Sequence, residues 1–162
     1  MAAKALDGKP SIAFVLIGTG SEKDSLIELA NSHKQSTIFF LPPVSKNAIP
    51  DLLAYFDILY AGGVSSILHR YGTAFNKITD YMLAAKPIVF AVDEPNSLVE
   101  TVGCGVQVPA ENVPEITKAL DTLVSMTQEQ RNSIGTKGFE YAKKELGYSL
   151  IAKKVMEAIG IE

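Results

Sequence analysis

The sequence predicts an α/β domain, a Rossmann-like parallel sheet of about five strands with helices on both faces. Short apolar runs alternate with segments of helical periodicity along the whole chain. The apolar runs lack a polar residue at every second position, which is typical of strands buried on both faces of a sheet. Parallel neighbours need crossover connections, and the intervening helices supply them. We therefore interpret residues 1–162 as one domain.

Turn residues mark the limits of each element. The predicted strands end at glycine, proline or an acidic turn, and they are Ser11–Ile17, Thr37–Leu41, Asp57–Ala61, Pro87–Val92 and Gly105–Val108. The predicted helices begin near Ser21, Asn47, Thr73, Ser97 and Val113. Two breaks are expected in the C-terminal helical region, near residues 125–127 and near Gly147. Met1–Lys9 is interpreted as the remnant of a preceding helix or as a cloning scar.

Composition excludes several classes of function. Hydrophobic residues make up 47% and charged residues 20% of the chain, as in ordinary globular proteins. The net charge is −3 and no basic stripe occurs, so nucleic acid is not an expected partner. The single cysteine, Cys104, has no cationic neighbour in sequence and is expected to be a buried filler. No apolar run reaches ~18 residues and no signal-peptide pattern occurs, so a cytoplasmic location is expected.

The loops at the carboxyl ends of the strands are the candidate ligand site, because open parallel sheets bind ligands at that edge. Those loops are Gly18–Ser21, Leu41–Asn47, Ala61–Thr73 and Val92–Asn96. In the first of them, Gly18 and Gly20 let a backbone approach a ligand closely, ahead of a helix N-terminus that favours an anion. For this loop considered alone, an ordinary tight turn with a helix cap is the commoner explanation of the glycines.

The segment from Tyr71 to Met82 carries the strongest signal. If Thr73 caps the next helix, the amides around residues 75 and 76 are free to hold a phosphate. Asn76 lies four residues before Asp80 and Lys77 lies three residues before it, so all three can share one face. On that face the Lys77 cation could meet a diphosphate, and the Asp80 carboxylate could accept hydrogen bonds from a ribose diol. The alternative is a solvated ion pair between Lys77 and Asp80.

Other polar residues carry weaker signals. Arg70, beside His69 in the loop before Gly72, has two interpretations. It either contacts a bound phosphate or is a solvated charge on the loop. No set of histidine, cysteine and acidic residues has metal-ligand spacing, so no metal site is predicted.

Residues 71–82 (YGTAFNKITDYM) and the following Ala84–Val89 (AAKPIV) resemble the signature of bacterial family-4 glycosyltransferases of the GT-B fold, the glycosyl transferases group 1. Similar members carry an Asn-Lys-hydrophobic-x-acidic-Tyr-Met segment, small residues, Lys-Pro and an apolar strand. Further stretches in register with the same domain are Phe14–Gly20, Ile38–Val44 and Ser97–Gly105. The resemblance covers nearly the whole chain and is to the C-terminal, donor-binding domain.

The resemblance implies a domain that binds a nucleotide-sugar, with a UDP-sugar favoured, while another domain holds the acceptor. Gly18 and Gly20 would shape the floor of the diphosphate site. Val44 would meet the base through its backbone, and Asp80 would bind the ribose. The whole enzyme would be a retaining, metal-independent hexosyltransferase with no cofactor. It would transfer sugar to a polysaccharide, O-antigen or lipid-linked acceptor at the inner face of the cytoplasmic membrane.

The chain departs from the family pattern in three ways. The first acidic position of the family's motif falls on Gly72, so Asn76 and Lys77 would have to substitute for that carboxylate. Ala74-Phe75 replaces the usual pair before Asn76, which leaves the anion contacts to the backbone. The family's domain opens with a strand, a loop bearing Arg and Lys, and a helix. Their expected absence here predicts little or no transferase activity for this chain alone.

Two other functions stay open from the sequence. One is half of a sugar-nucleotide epimerase, which would need a carboxylate or histidine beside the anomeric carbon and is weakened by Gly72. The other is a non-catalytic nucleotide-binding α/β module. A phosphorylated receiver is excluded, because Gly18-Thr19-Gly20 supplies no acidic cluster at the end of the first strand.

Overall fold

The computed structural model describes residues 12–33, 37–73 and 75–160, so the interpretation of Met1–Lys9 lies outside the described residues. The strands in these ranges are β1 (Phe14–Ile17), β2 (Ile38–Leu41), β3 (Leu59–Gly62), β4 (Ile88–Ala91) and β5 (Gly105–Val108). The α-helices there are α1 (Lys23–Ser32), α2 (Ile49–Ala54), α3 (Asn76–Leu83), α4 (Leu98–Val102), α5 (Val113–Ser125), α6 (Gln128–Glu145) and α7 (Tyr148–Ala158). Short 3-10 turns cover Lys46–Ala48 and Ile67–Tyr71. The α/β class is confirmed.

The strands are parallel, as predicted, but they pair in two groups. β1 pairs with β2, with Phe14 opposite Ile38. β4 pairs with β3 on one side and β5 on the other, with Ile88 opposite Leu59 and Gly105. Within the described ranges, no hydrogen-bonded ladder joins β1 to β3. The expected sheet of about five strands is therefore a two-stranded unit and a three-stranded unit.

The core lies on both faces of β4, because successive side chains of a strand point to opposite sides. Ile88, Phe90 and Val92 pack with α3 and α6 residues, including Met82 and Ala142. Val89 and Ala91 pack on the other side against α5, where the buried side chains are Ile116, Ala119, Leu120 and Leu123. Every residue of β4 is buried, which confirms the sequence prediction for this strand.

Cys104 is a buried member of the cluster between β4 and α6. Desolvation raises the pKa of its thiol to about 11. A thiol in such surroundings stays protonated and is a poor nucleophile. The prediction that Cys104 is a structural filler is confirmed.

The helix boundaries follow local capping. The Asn112 side chain accepts a hydrogen bond from the Glu115 amide and starts α5, while Thr127 and Gln130 form a capping box at the start of α6. The breaks predicted near residues 125–127 and near Gly147 are confirmed, since α5 ends at Ser125 and α6 at Glu145. No helix of the described ranges combines the length and apolarity that crossing a membrane requires.

Candidate functional site

The first loop at the carboxyl edge follows β1. Gly18 adopts a φ of 138°, a conformation that favours glycine, and its amide donates to the Leu41 carbonyl at 3.3 Å. A Cβ at Gly18 or Gly20 would meet no atom within 4 Å, so this loop borders open space. The two glycines therefore lie where the sequence predicted, with room for a ligand beside their backbone.

Lys23, in the first turn of α1, was not predicted as a site residue. Its ammonium donates to the Gly18 carbonyl at 2.8 Å and to the Leu41 carbonyl at 2.9 Å. A cation thus joins the carboxyl ends of β1 and β2. The sequence does contain an indication of this role. Lys23 follows Gly20 by three residues and lies in the first turn of its helix, as Lys77 does in α3.

The loop between β3 and α3 is held by carboxylates from the turn after β4. Glu94 accepts two hydrogen bonds from Thr73, from the amide at 3.1 Å and from the hydroxyl at 2.6 Å. Asp93 accepts from the Ser65 hydroxyl at 2.7 Å and from the Ala110 amide at 2.9 Å. The hydrogen bond from Ser65, followed by that from Ala110, holds the pKa of Asp93 below its usual value.

The prediction that Thr73 caps α3 is wrong. The helix begins at Asn76, its N-cap residue is Phe75, and no side chain caps it. The Thr73 hydroxyl instead donates to a carboxylate, a stronger partner than a neutral backbone group. Sequence reasoning missed this role of Glu94 because Glu94 lies 21 residues from Thr73 along the chain.

Glu94 also occupies the space beside Gly72. Its Oε1 atom lies 3.8 Å from the position that a Cβ of residue 72 would take, and Gly72 has a φ of 96°. A carboxylate therefore stands next to position 72 although residue 72 has no side chain.

Replacing Glu94 by alanine is expected to release the loop at Thr73. Two hydrogen bonds to a carboxylate are lost, each worth roughly 1.5–3 kcal/mol when the acceptor is charged. We expect hydrogen exchange of the Thr73 amide, followed by NMR, to accelerate at least about tenfold. Glu94→Gln keeps one acceptor oxygen and should give a smaller change, and Glu100→Ala, at an exposed position of α4, is the control. Equal exchange in all three variants would show that Glu94 does not hold this loop.

The start of α3 is open at the carboxyl edge. Ile78 donates its amide to the Phe75 carbonyl at 2.9 Å, and no hydrogen bond from the amides of Asn76 or Lys77 is found among the described residues. Both residues are exposed. The Lys77 ammonium lies 5.6 Å from the centre of the Phe75 ring, so it reaches back toward the N-terminus of the helix. An uncapped helix start with an adjacent cation favours an anion.

Asp80 lies one turn further along α3 and is exposed. Its charge contributes, after burial, to raising the pKa of the neighbouring Tyr81. No ion pair between Lys77 and Asp80 occurs in the described structure, so the alternative of a closed intrahelical pair is not observed. Both charges stay available to a ligand.

A cavity of about 200 Å³ lies beside the start of α3. Its lining combines polar and apolar side chains: Thr73, Phe75, Asn76, Ile78, Thr79, Phe90, Glu94, Leu98 and Val99. Small-molecule sites usually occupy about 300–1,000 Å³, so this cavity has the size of one ligand moiety. A larger, shallow hollow of about 630 Å³ follows the exposed face of α5, and none of the four candidate loops lines it.

The other predicted residues lie around this edge. Val44 is exposed in the loop after β2, and no hydrogen bond joins it to α3 in the described ranges. The His69 ring packs against Gly63, whose Cβ position would be 3.4 Å from it, and lies 6.4 Å from the Phe75 ring. Arg70 is exposed. The fold therefore brings Thr73, Asn76, Glu94 and the end of β3 together, with Gly18 and Val44 on the β1–β2 side.

Comparisons with known proteins give structural matches. No protein-family model matches the sequence, and no curated protein matches it. Among solved structures, the chain is similar to WaaG, a glycosyltransferase involved in lipopolysaccharide biosynthesis, with a TM-score of 0.69 and 15% identity over 94% of this chain. It is also similar to Anabaena HepE in complex with UDP and glucose, with a TM-score of 0.76 and 17% identity over 98%.

A third similar structure is the C-terminal domain of LpcC, a glycosyl transferase group 1 family protein from Francisella tularensis. It matches with a TM-score of 0.72 and 18% identity, over 91% of this chain and 76% of that domain. The chain covers only 42% of WaaG and 43% of HepE, less than half of each. The chain therefore has the GT-B glycosyltransferase fold, in the form of its C-terminal domain.

Proposed function

We propose that this chain is the donor-binding domain of a glycosyltransferase that uses a nucleotide-sugar. The observation that carries the proposal is the start of α3, where the amides of Asn76 and Lys77 have no partner among the described residues. These amides, the Lys77 ammonium and the Asp80 carboxylate lie at the carboxyl edge, and a small cavity lies beside the helix start. A cation suits a diphosphate, as do amides that have no partner in the described part of the chain, and an exposed carboxylate suits a diol. A nucleoside diphosphate sugar carries both groups.

The diphosphate would lie between the two loop systems of the edge. Asn76 and Lys77 would donate backbone amides, and the Lys77 ammonium would add charge. Gly18 and Gly20 would allow close approach from the β1 side, because neither has a side chain. During transfer the leaving diphosphate gains negative charge, and donors already aimed at it would stabilise that charge without reorganisation.

The nucleoside would extend away from the diphosphate toward the loop after β2. Asp80 would accept hydrogen bonds from the ribose hydroxyls, and the Val44 backbone would contact the base. The Glu94 carboxylate, beside position 72 and on the cavity wall, would face the donor sugar together with Thr73 and Thr79. We favour UDP as the nucleotide, and HepE in complex with UDP and glucose is a structural neighbour of this chain.

For the whole protein we propose family-4 membership and transfer of a hexose with retention, without a metal or a separate cofactor. The acceptor would be a polysaccharide, an O-antigen or a lipid-linked glycan, held by another domain. The enzyme would work in the cytoplasm, with peripheral contact at the inner face of the membrane. Because the chain spans less than half of WaaG and HepE, we expect no sugar transfer when donor and acceptor are added to it alone.

The proposal is tested by titrating the ¹⁵N-labelled chain with UDP, GDP and ADP and following amide shifts. We expect saturable shifts at Gly18, Asn76, Lys77 and Asp80, largest for UDP, while the outer face of α5 stays unchanged. Shifts confined to the hollow on α5, around Thr117 and Asp121, would contradict the proposed site. Equal shifts with inorganic phosphate alone would contradict a nucleoside-specific one.

A further inference from the structure

The cavity beside the start of α3 adjoins the proposed diphosphate site. Asn76 begins α3 and also lines the cavity. Its amide has no partner among the described residues and is proposed above to hold a phosphate. The sugar of a nucleotide-sugar is bonded to the diphosphate through its anomeric carbon. A diphosphate at Asn76 therefore brings the sugar to the mouth of the cavity.

Apolar side chains form one wall of the cavity. Phe75, Ile78, Phe90 and Val99 line it and pack together in one core cluster. The Phe75 and Phe90 rings meet edge to face, with 5.9 Å between their centres, which keeps the wall in a fixed shape. A hydroxyl group placed against this wall would lose its hydrogen bonds to water and gain none. The group that fills the cavity must therefore present an apolar surface to it.

The cavity also has a polar lining. Glu94 and Thr73 come from different loops and are joined by two hydrogen bonds, whereas Asn76 and Thr79 lie on α3. A carboxylate only accepts hydrogen bonds, and each Glu94 oxygen keeps a lone pair besides the one that Thr73 uses. The group that fills the cavity must therefore bring a donor to Glu94, while Asn76 and Thr79 can donate to an acceptor.

An acetamido group on the sugar meets both requirements. Its N–H donates to a carboxylate, its carbonyl accepts from an amide or a hydroxyl, and its methyl end is apolar. When the acetamido group replaces the hydroxyl on the second carbon of the sugar, it lies next to the anomeric carbon that carries the diphosphate. It then reaches a cavity that begins at Asn76. The methyl group of a 6-deoxy sugar lies on the far side of the ring oxygen and brings no donor with it.

The Glu94 carboxylate excludes another class of sugar. A uronic acid would place a second carboxylate close to Glu94, and like charges brought together in an enclosed site cost several kcal/mol. Specificity commonly depends on such a repulsive element as well as on favourable contacts. The cavity therefore selects a neutral sugar.

We propose, on the basis of the donor-binding function above, that the cavity receives the acetamido group of an N-acetylhexosamine. The methyl group packs against Phe90 and Val99, the N–H donates to Glu94, and the carbonyl accepts from Asn76 or Thr79. Glu94 then has two roles, because it holds the loop at Thr73 and also determines which sugar is bound.

Binding of three UDP-sugars to the ¹⁵N-labelled chain tests the pocket. The ligands are UDP-N-acetylglucosamine, UDP-glucose and UDP-glucuronic acid, with UDP as the reference, and the amide shifts of Asn76 and Lys77 give the dissociation constants. We expect UDP-N-acetylglucosamine to bind at least about tenfold more tightly than UDP-glucose, because a site built to hydrogen-bond one group rejects an analogue that lacks it. UDP-glucuronic acid should bind most weakly.

Nuclear Overhauser effects locate the acetamido group independently of affinity. The acetyl methyl group gives one sharp proton signal. We expect cross-peaks from this signal to the methyl groups of Leu98 and Val99 and to the ring of Phe90, all of which line the cavity.

A matched pair of variants assigns the preference to the cavity. Leu98 lines the cavity and is 39% exposed, so Leu98→Phe adds bulk without overfilling the core. It should remove most of the preference for UDP-N-acetylglucosamine over UDP-glucose, since it occupies space that the acetamido group needs. Leu83→Phe makes the same change at an exposed position of α3 away from the cavity and should keep the preference. Thermal melting followed by circular dichroism shows that both variants are folded.

Three results would overturn the proposal. One is an affinity for UDP-glucose equal to or above that for UDP-N-acetylglucosamine, and another is a set of acetyl cross-peaks only to residues outside the cavity. The third is an equal loss of preference in Leu83→Phe and Leu98→Phe. In all three cases, saturable shifts of Asn76 and Lys77 with UDP would still support the donor-binding function. An absence of shifts with all four ligands would contradict that function and the pocket together.

Discussion

Replacing Asp80 by alanine is expected to weaken binding of UDP to this chain at least about tenfold, because hydrogen bonds to a charged group are worth roughly 1.5–3 kcal/mol. The carboxylate is exposed on α3, one turn beyond the open helix start, and forms no ion pair with Lys77 in the described structure. It is therefore free to accept from both ribose hydroxyls. Isothermal titration calorimetry of the two proteins measures the change.

The ribose assignment is separated from a general charge effect by 2′-deoxy-UDP. The unaltered chain should prefer UDP over 2′-deoxy-UDP, and that preference should disappear in Asp80→Ala. Glu140→Ala removes an exposed acidic side chain on α6 and should leave both affinities unchanged. If Asp80→Ala reduces the affinity for UDP and 2′-deoxy-UDP by the same factor, Asp80 does not contact the 2′-hydroxyl.

Replacing Gly135 by alanine is expected to destabilise the domain by roughly 2 kcal/mol or more, since it overfills a packed interface. A Cβ at Gly135 would collide with the Ala85 carbonyl oxygen, a backbone atom at the end of α3 that cannot rotate away. Within an exposed helix the same change would stabilise by about 1 kcal/mol through helix propensity. The sign of the effect thus reports the close approach of α6 to the α3–β4 turn.

Chemical denaturation or thermal melting followed by circular dichroism measures this loss. We expect the melting temperature to fall by roughly 5 °C or more for a domain of this size. Gly20→Ala is the matched control, because a Cβ there meets no atom within 4 Å. A stability of Gly135→Ala equal to or above that of the unaltered chain would mean that α6 does not approach the turn so closely.

The main parts of the fold could be predicted from local pattern. The run around Val89 is apolar on both faces, and the structure buries all of β4. The helix breaks near residues 125–127 and Gly147 could be predicted from the sequence, because capping residues lie within a few positions of a helix boundary. The resemblance of residues 71–82 to a glycosyltransferase signature led to the same fold that the structural comparisons show.

The candidate site was predicted less completely, and the reason is distance along the chain. The residues around Thr73 indicated a helix cap. The Thr73 hydroxyl instead donates a hydrogen bond to Glu94, which lies 21 residues further along the chain. Lys23 joins two strand ends through the carbonyls of Gly18 and Leu41, and the second of these is 18 residues from it. The roles assigned to Gly18, Gly20, Val44, Asn76, Lys77 and Asp80 stay predictions that the binding experiments test.

The sequence by itself determined the alternation of strands and helices, the doubly buried β4 and the inert Cys104. Those properties depend on periodicity, capping and composition, which act over a few residues. Only the tertiary structure decided that Glu94 stands beside Gly72, that α6 needs Gly135, and that the five strands pair as two units. Each depends on groups brought together by folding, whose contacts a linear pattern does not encode.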